Sequence, residues 1–469
     1  MLNIRFYIHY SSGNEYLCSQ NRKNVTMKLL EKKITTDSIG GSYMPAFVLI
    51  TICFALWGFA NNVTSPMVGT FSKIFRMSTT EGVMVPVAFN LGYFCMAIPA
   101  ALFIQRFSFK WGVLAGLTLY AVGALLFLPA KAMGMFAPFL AAYFIMTCGL
   151  SFLETSCNPY IYSMGNEQTG IQRLNAAQSF NALGSLMGML IAMYVQSNIS
   201  PMDSLMRQEL PQKQFDILKD HDLGVLIQPY IYIVAVILII MAVMWVTRMP
   251  RIETVETDKK ASAILHKLLH RVNYREGWIA EFCYVGAQAA CWTFIIQYGS
   301  RIFIAEGLNE QGAEVLAQKF NIAAMVLFAF SRFICTWLMR FFTPERMLST
   351  LAIVGTVLVF GVIAFTNRYG LYCLVGVSAC LSLMFPTIFG LSLHGVGEDI
   401  KLAGAGLIMA ILGGSLFPPI QAAIIESKVM LFGLPSTNLS FFIPMLCLGV
   451  VAWYGHRTYV RHYIQEKEE

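Results

Sequence analysis

Residues 148–164 read CGLSFLETSCNPYIYSM, which puts a carboxylate at Glu154 and an amide at Asn158 inside a long apolar stretch. A charge near the middle of a membrane-crossing helix costs about 2.5–3.5 kcal/mol on insertion scales. An acid there is expected either to bind and release a proton or to sit neutral, hydrogen-bonded to a neighbouring helix. Asn158 follows Glu154 by four residues, so the two share one helical face, a face suited to a watery cavity and unsuited to lipid.

Other polar side chains recur at helical spacing. WGFANNVTSP carries Trp57, Asn61, Asn62 and Ser65, and RLNAAQSFNALGSLMG carries Asn175, Gln178 and Asn181 at intervals of three, one polar stripe. The plain alternative for such amides is interhelical bonding that glues a membrane bundle. CYVGAQAACWTFIIQY offers Gln288, Trp292 and Gln297. Amides beside aromatic rings suit a polyhydroxylated ligand, because hydroxyls bond to amides while the apolar face of a pyranose stacks on rings. Asn62, Gln178, Asn181, Gln288, Asn158, Trp57 and Trp292 are therefore the candidate ligand-binding residues. Phe385 and Phe389 are read as packing residues, and His394 as an interfacial histidine near Glu398 rather than a proton shuttle. Arg332, placed early in its span, needs a carboxylate or carbonyls. Glu281, one turn into the preceding span, is a second charge of structural or coupling type; whether either pairs across the bundle is left open.

The elements that must position these groups are helices. With 57% hydrophobic and 13% charged residues, the chain lies far from soluble composition. Apolar runs long enough to cross a hydrocarbon core of about 30 Å fall at 44–69, 82–105, 112–130, 136–163, 172–196, 227–247, 277–304, 318–339, 347–366, 370–397, 402–425 and 437–456. Each is too long and too uniformly apolar for a strand of an outer-membrane barrel. The fold class is thus all-α integral membrane, twelve spans in two six-helix halves.

With the N-terminus inside, 22 of the 33 Lys and Arg fall on the inner side and 10 on the outer, with Arg332 within a span. Both termini are therefore expected in the cytoplasm. This asymmetry accounts for the net charge of +7 without a nucleic-acid partner. The segments are 1–43, expected disordered with a translation start at Met27; a first bundle, 44–248; a basic linker, 249–276; a second bundle, 277–459; and a tail, 460–469. SAILHKLLHRV in the linker is expected to form an amphipathic helix at the membrane surface. The exit of the second span resembles that of the eighth, each ending in a short cationic turn, as a duplicated bundle would. Of eleven cysteines only Cys18 lies outside apolar sequence, and CxxC is absent, so they read as packing residues. No GxxxxGK[ST], HExxH or GxSxG occurs, which argues against direct ATP use and against an enzyme; no catalytic residue, metal or organic cofactor is assigned.

At WGFANN (57–62), LGYF (91–94), LETSCNPY (153–160), RLNAAQSFN (173–181), FCYVGAQAACW (282–292) and FPTIFGL (385–391) the chain resembles the fucose:proton symporter family of the major facilitator superfamily, from about Ser42 to Gly455. The resemblance implies alternating access in a bacterial inner membrane, a monomer in the lipid bilayer, and a monosaccharide substrate, L-fucose or a related hexose such as galactose or glucose. It links Glu154 to proton and sugar binding, has Gln178 and Asn181 line the sugar cavity, and turns Asn62 toward it. One departure is Ser65, where the family pattern has an aspartate three residues after the second Asn of the first motif. The coupling ion is accordingly expected to be a proton, with sodium, or no coupling, as the alternative.

Overall fold

The computed structural model describes residues 40–64, 67–77, 84–200, 202, 204–250, 261–427, 430–431 and 433–468. The expectations for Met27, Ser65 and the middle of the linker lie outside them. Over the described residues eleven helices are long and apolar enough to cross a bilayer. The second span, Met84–Arg106, adds a twelfth; its 23 residues reach about 35 Å. Among the described residues the architecture is all-helical apart from one small hairpin, Met430–Leu431 with Leu434–Pro435.

Several spans are longer than their apolar runs, because a helix needs no hydrocarbon to continue once its hydrogen bonds are under way. The sixth is Gln212–Val246, beginning 15 residues before the expected 227. The seventh is Val272–Ala305, so Glu281 stands two and a half turns in, not one. The eighth is Glu310–Leu338, capped by the Asn309 side chain, which accepts from Gly312 N. Arg332 is therefore late in its span, not early. The twelfth runs from Phe442 to Glu468, through residues expected to form a separate tail.

Other spans are broken. The first comprises Gly40–Thr64 and is followed by a helix at Met67–Phe75. The third is Phe109–Leu125 continued by Phe127–Met133, while the fourth, Phe136–Ser163, and fifth, Gly170–Asn198, are continuous. The ninth is Pro344–Ala364; the tenth divides into Arg368–Leu381 and Met384–Leu393; the eleventh into Ile400–Met409 and Gly413–Glu426. The linker does form its helix, Ala261–His270, with Ile264 and Leu268 turned inward.

Glycines let the same pair of helices close up in each half. In the first half a Cβ on Gly184 would lie 2.0 Å from Ala55 O, and one on Gly58 would lie 2.2 Å from Asn181 O, which locks the first span against the fifth. In the second half Gly413 meets Phe282 O at 2.0 Å, locking the seventh against the eleventh. Small residues at helix contacts are the membrane solution, since apolar association gains little among lipid tails. Large side chains such as Leu190, Tyr232, Val246, Phe330 and Phe360 face outward, as lipid contact requires.

The faces of the bundle can be told apart. At the near face, where the first span begins, the halves are stitched together: Lys401 Nζ donates to Ile104 O at 3.2 Å, Gly395 N to Glu167 Oε1 at 3.0 Å, Gln172 Nε2 to Thr336 O at 3.5 Å, and Asn175 Nδ2 to Thr387 Oγ1 at 3.2 Å. Ile104 is in the last turn of the second span, where carbonyls lack helical partners and a cation is favoured. Among the described residues no hydrogen bond joins the halves toward the far face.

Candidate functional site

A polar layer crosses the seam between the halves. Glu154 stands nine residues before the end of its span and Gln178 eight after the start of the next, both about 12–14 Å in from the near ends of their helices. Tyr93, from the second span, donates its hydroxyl to Glu154 Oε1 at 2.7 Å. Asn158 Nδ2 donates to Glu154 O at 3.0 Å, and Gln178 Nε2 donates to Asn158 Oδ1 at 2.9 Å. Arg332 Nη1, from the second half, donates to Gln178 O at 3.0 Å and completes the chain. Glu154, Asn158, Gln178 and Arg332, far apart in sequence, are thus one connected network, and all four are buried.

Arg332 meets carbonyls, not a carboxylate. Besides Gln178 O its Nε donates to Ser382 O, and its guanidinium lies over the Phe328 ring, 4.5 Å from the centroid. The physical reason lies in Pro386. A proline has no N–H, so the carbonyl four residues earlier, Ser382 O, is freed at the break in the tenth span and available to an outside donor. Neither Glu281 nor Glu154 forms an ion pair with Arg332. Glu281 is fully buried and both its carboxylate oxygens lack a hydrogen-bond partner.

Asn62 and Asn181 lie on the seam of the first and fifth spans, half-buried. Asn181 Nδ2 donates to Phe54 O at 3.2 Å and Asn62 Nδ2 to Gly58 O at 3.3 Å. Trp57 is buried against Phe54, ring centroids 4.1 Å apart. Trp292 is half-buried, donates Nε1–H to Ser378 Oγ at 3.3 Å and meets the Phe328 ring edge-on at 4.9 Å, so Trp292, Phe328 and Arg332 touch in series. Gln288 is half-buried one turn nearer Glu281 on the same face. Phe385 and Phe389 stack on each other at 6.1 Å as packing residues. His394 is exposed, 4.0 Å from Glu167 and beside the His462 ring, an interfacial position.

Sequence reasoning missed the Tyr93 hydroxyl and the Ser382 carbonyl. Pro386, four residues on, was the legible signal for the second. For the first only the general need of a buried tyrosine for a partner was available. It also missed a fully buried ion pair, Arg207 Nη2 to Asp222 Oδ2 at 2.7 Å, which pins the far-face loop after Asn198 to the sixth helix.

The family profile of the Major Facilitator Superfamily matches residues 50–418. The chain is 43% identical over 441 residues to the L-fucose-proton symporter of Haemophilus influenzae, covering 92% of this chain and 98% of that one. It is 28% identical over 427 residues to a glucose/galactose transporter of Brucella abortus, covering 90% and 96%. Among solved structures it resembles that of the transporter FucP in the outward conformation, with a TM-score of 0.79 and 30% identity over 89% of this chain and 99% of that one. A twelve-span bundle stitched at one face, a buried acid and amides at its seam, and these likenesses lead to one conclusion: the chain belongs to the fucose:proton symporter family of the Major Facilitator Superfamily.

Proposed function

We propose that this protein imports a monosaccharide, L-fucose or a related hexose, together with a proton. The carrying observation is the network Tyr93–Glu154–Asn158–Gln178–Arg332, which joins an acid to amides and reaches from one half to the other. Ionised, Glu154 would have one hydroxyl donor and no cation to offset its removal from water, so a proton taken up there is a natural charge balance. A sugar hydroxyl seated among Gln178, Asn181 and Asn62 would compete for the same amide bonds. Proton and sugar occupancy are thereby tied through shared donors.

The near-face stitching supports an outward-open state, with that face cytoplasmic and both termini inside. Rocking of the halves would break the Lys401, Glu167, Gln172 and Asn175 bonds and open the layer to the cytoplasm. One elementary charge crossing 100 mV is worth about 2.3 kcal/mol, enough for roughly 40- to 50-fold accumulation. The protein acts as a monomer in a bacterial inner membrane. Relatives named as glucose/galactose transporters keep galactose and glucose as the second substrate reading.

The test is counterflow in proteoliposomes with labelled L-fucose, galactose and glucose, with imposed proton and sodium gradients. L-fucose exchange with accumulation that follows the proton gradient is expected. Accumulation that follows sodium and ignores pH would overturn the coupling assignment, and exchange of galactose or glucose but not L-fucose would overturn the substrate.

A further inference from the structure

Glu281 stands nine residues from the near end of the seventh span and Glu154 nine from the near end of the fourth, so both lie about 13–14 Å deep. One belongs to each half. The other titratable groups around Glu281 are Tyr284 on its own helix and Tyr454 of the twelfth span. Tyr284 gives its hydroxyl hydrogen to Leu381 O at 3.1 Å, and the Tyr454 hydroxyl is engaged with Ser392 Oγ at 3.2 Å. Arg332 of the eighth span is committed to Ser382 O and Gln178 O, and Arg461 of the twelfth to Glu276. The tenth and eleventh spans bring uncharged Ser392, Gly413 and Phe417 against this helix. Among the described residues nothing donates to the Glu281 carboxyl, and no cation forms an ion pair with it.

A dry carboxylate without donor or cation is a severely unfavourable species, so with the near face shut this side chain is held as the neutral acid. Gln288 and Trp292, seven and eleven residues on, continue the same helical face toward the far side and are half-buried. On the near side the Asn175–Thr387 and Gln172–Thr336 bonds lie between this layer and the face. When they part, water reaches the carboxyl, which ionises to –COO⁻ and hands its proton to cytoplasmic water. The returned, outward-open carrier takes a new proton from outside.

We propose that Glu281 is a second proton-carrying carboxyl, one on each half with Glu154, so that each cycle moves two protons per sugar. The proposal rests on the proton-coupled reading above and goes beyond it in stoichiometry.

The test measures the reversal potential of L-fucose-coupled current in proteoliposomes of the full-length protein. Two protons per sugar are expected for the native chain, equivalent to about 2,000-fold accumulation at 100 mV. Glu281→Gln should give one proton per sugar, about 40- to 50-fold, with counterflow within about twofold of native. Glu281→Asp should restore two. A native ratio of one overturns the proposal whether or not the variant folds, and so does an unchanged ratio of two in Glu281→Gln. Glu281→Met, of similar volume and without a polar atom, repeats the measurement if the glutamine variant fails to assemble. Sugar movement with no proton current in the native protein would sink the coupling reading itself, a failure distinct from a ratio of one.

Discussion

Glu276 and Glu345, close to the near face, each meet a basic side chain: Glu276 is 3.1 Å from Arg457 and 2.6 Å from Arg461, and Glu345 is 2.7 Å from His462. Asp399 likewise meets Lys267 at 2.6 Å. Glu154 and Glu281, deeper along the seam, meet none among the described residues, while Arg332 is held by carbonyls. The difference separates two uses of the same side chain. Where acids and bases are matched, the pairs fix helix ends and hold a conformation. Where an acid is left without a base, its charge is free to change, because no ion pair has to be broken when a proton arrives.

Substitutions can break or sharpen that contrast. The largest effect is expected from Glu154→Gln, which removes one coupled proton and should lower accumulation about 40- to 50-fold while leaving exchange of sugar across the membrane. Uphill uptake of labelled L-fucose in vesicles checks it, and unaltered accumulation would erase the distinction between the two regions.

Arg332→Lys comes next. Lysine keeps the charge and loses the planar fork that reaches Ser382 O and Gln178 O together. Loss of one charged hydrogen bond is worth about 1.5–3 kcal/mol, so uptake should fall about tenfold or more. Labelling of a cysteine introduced beside Gln172 should become faster from the near face as the stitching weakens. Uptake equal to that of the native chain would show that the bridge has no part in closing the seam.

Glu276→Gln is expected to act on stability alone. It leaves Arg457 and Arg461, both partly exposed, without the carboxylate they share, at a cost of about 1–2 kcal/mol. Thermal unfolding in detergent should come a few degrees lower with the accumulation ratio intact. A changed ratio would move this rim pair into the coupling machinery.

The smallest effect belongs to the far-face clip between Glu306 and Arg368, 2.7 Å apart. The Arg368 guanidinium, hydrogen-bonded to Glu306, holds that carboxyl below its ordinary value near 4.5. A depressed carboxylate contributes stability that is present above its unfolded value and fades as pH falls through the folded one. Glu306→Gln should therefore differ slightly from native in melting temperature at neutral pH and coincide with it in strong acid. A difference that grows on acidification would contradict the assigned direction.

Much of this was open to reading before any coordinates. The polar stripe of Asn175, Gln178 and Asn181 and the Glu154–Asn158 face follow from a period of 3.6 residues, a property of a single helix. The linker helix at Ala261–His270 followed from its own amphipathic pattern. The ends of the sixth, seventh and twelfth helices did not, because hydropathy marks where lipid ends while hydrogen bonding carries the helix on. Nor did the placing of Arg332 against Ser382 O, which needs the eighth and tenth spans to be neighbours.

By itself the sequence determined that the chain crosses the membrane twelve times, in two bundles, with an acid and several amides on inward faces. Apolar length and helical periodicity are local quantities that any stretch carries with it. The tertiary structure alone decided that Tyr93 serves Glu154, that Arg332 bridges the halves through carbonyls, and that Glu281 stands without a partner. Donor and acceptor are separated there by tens to hundreds of residues, and their meeting depends on how close glycines such as Gly58, Gly184 and Gly413 allow the helices to come.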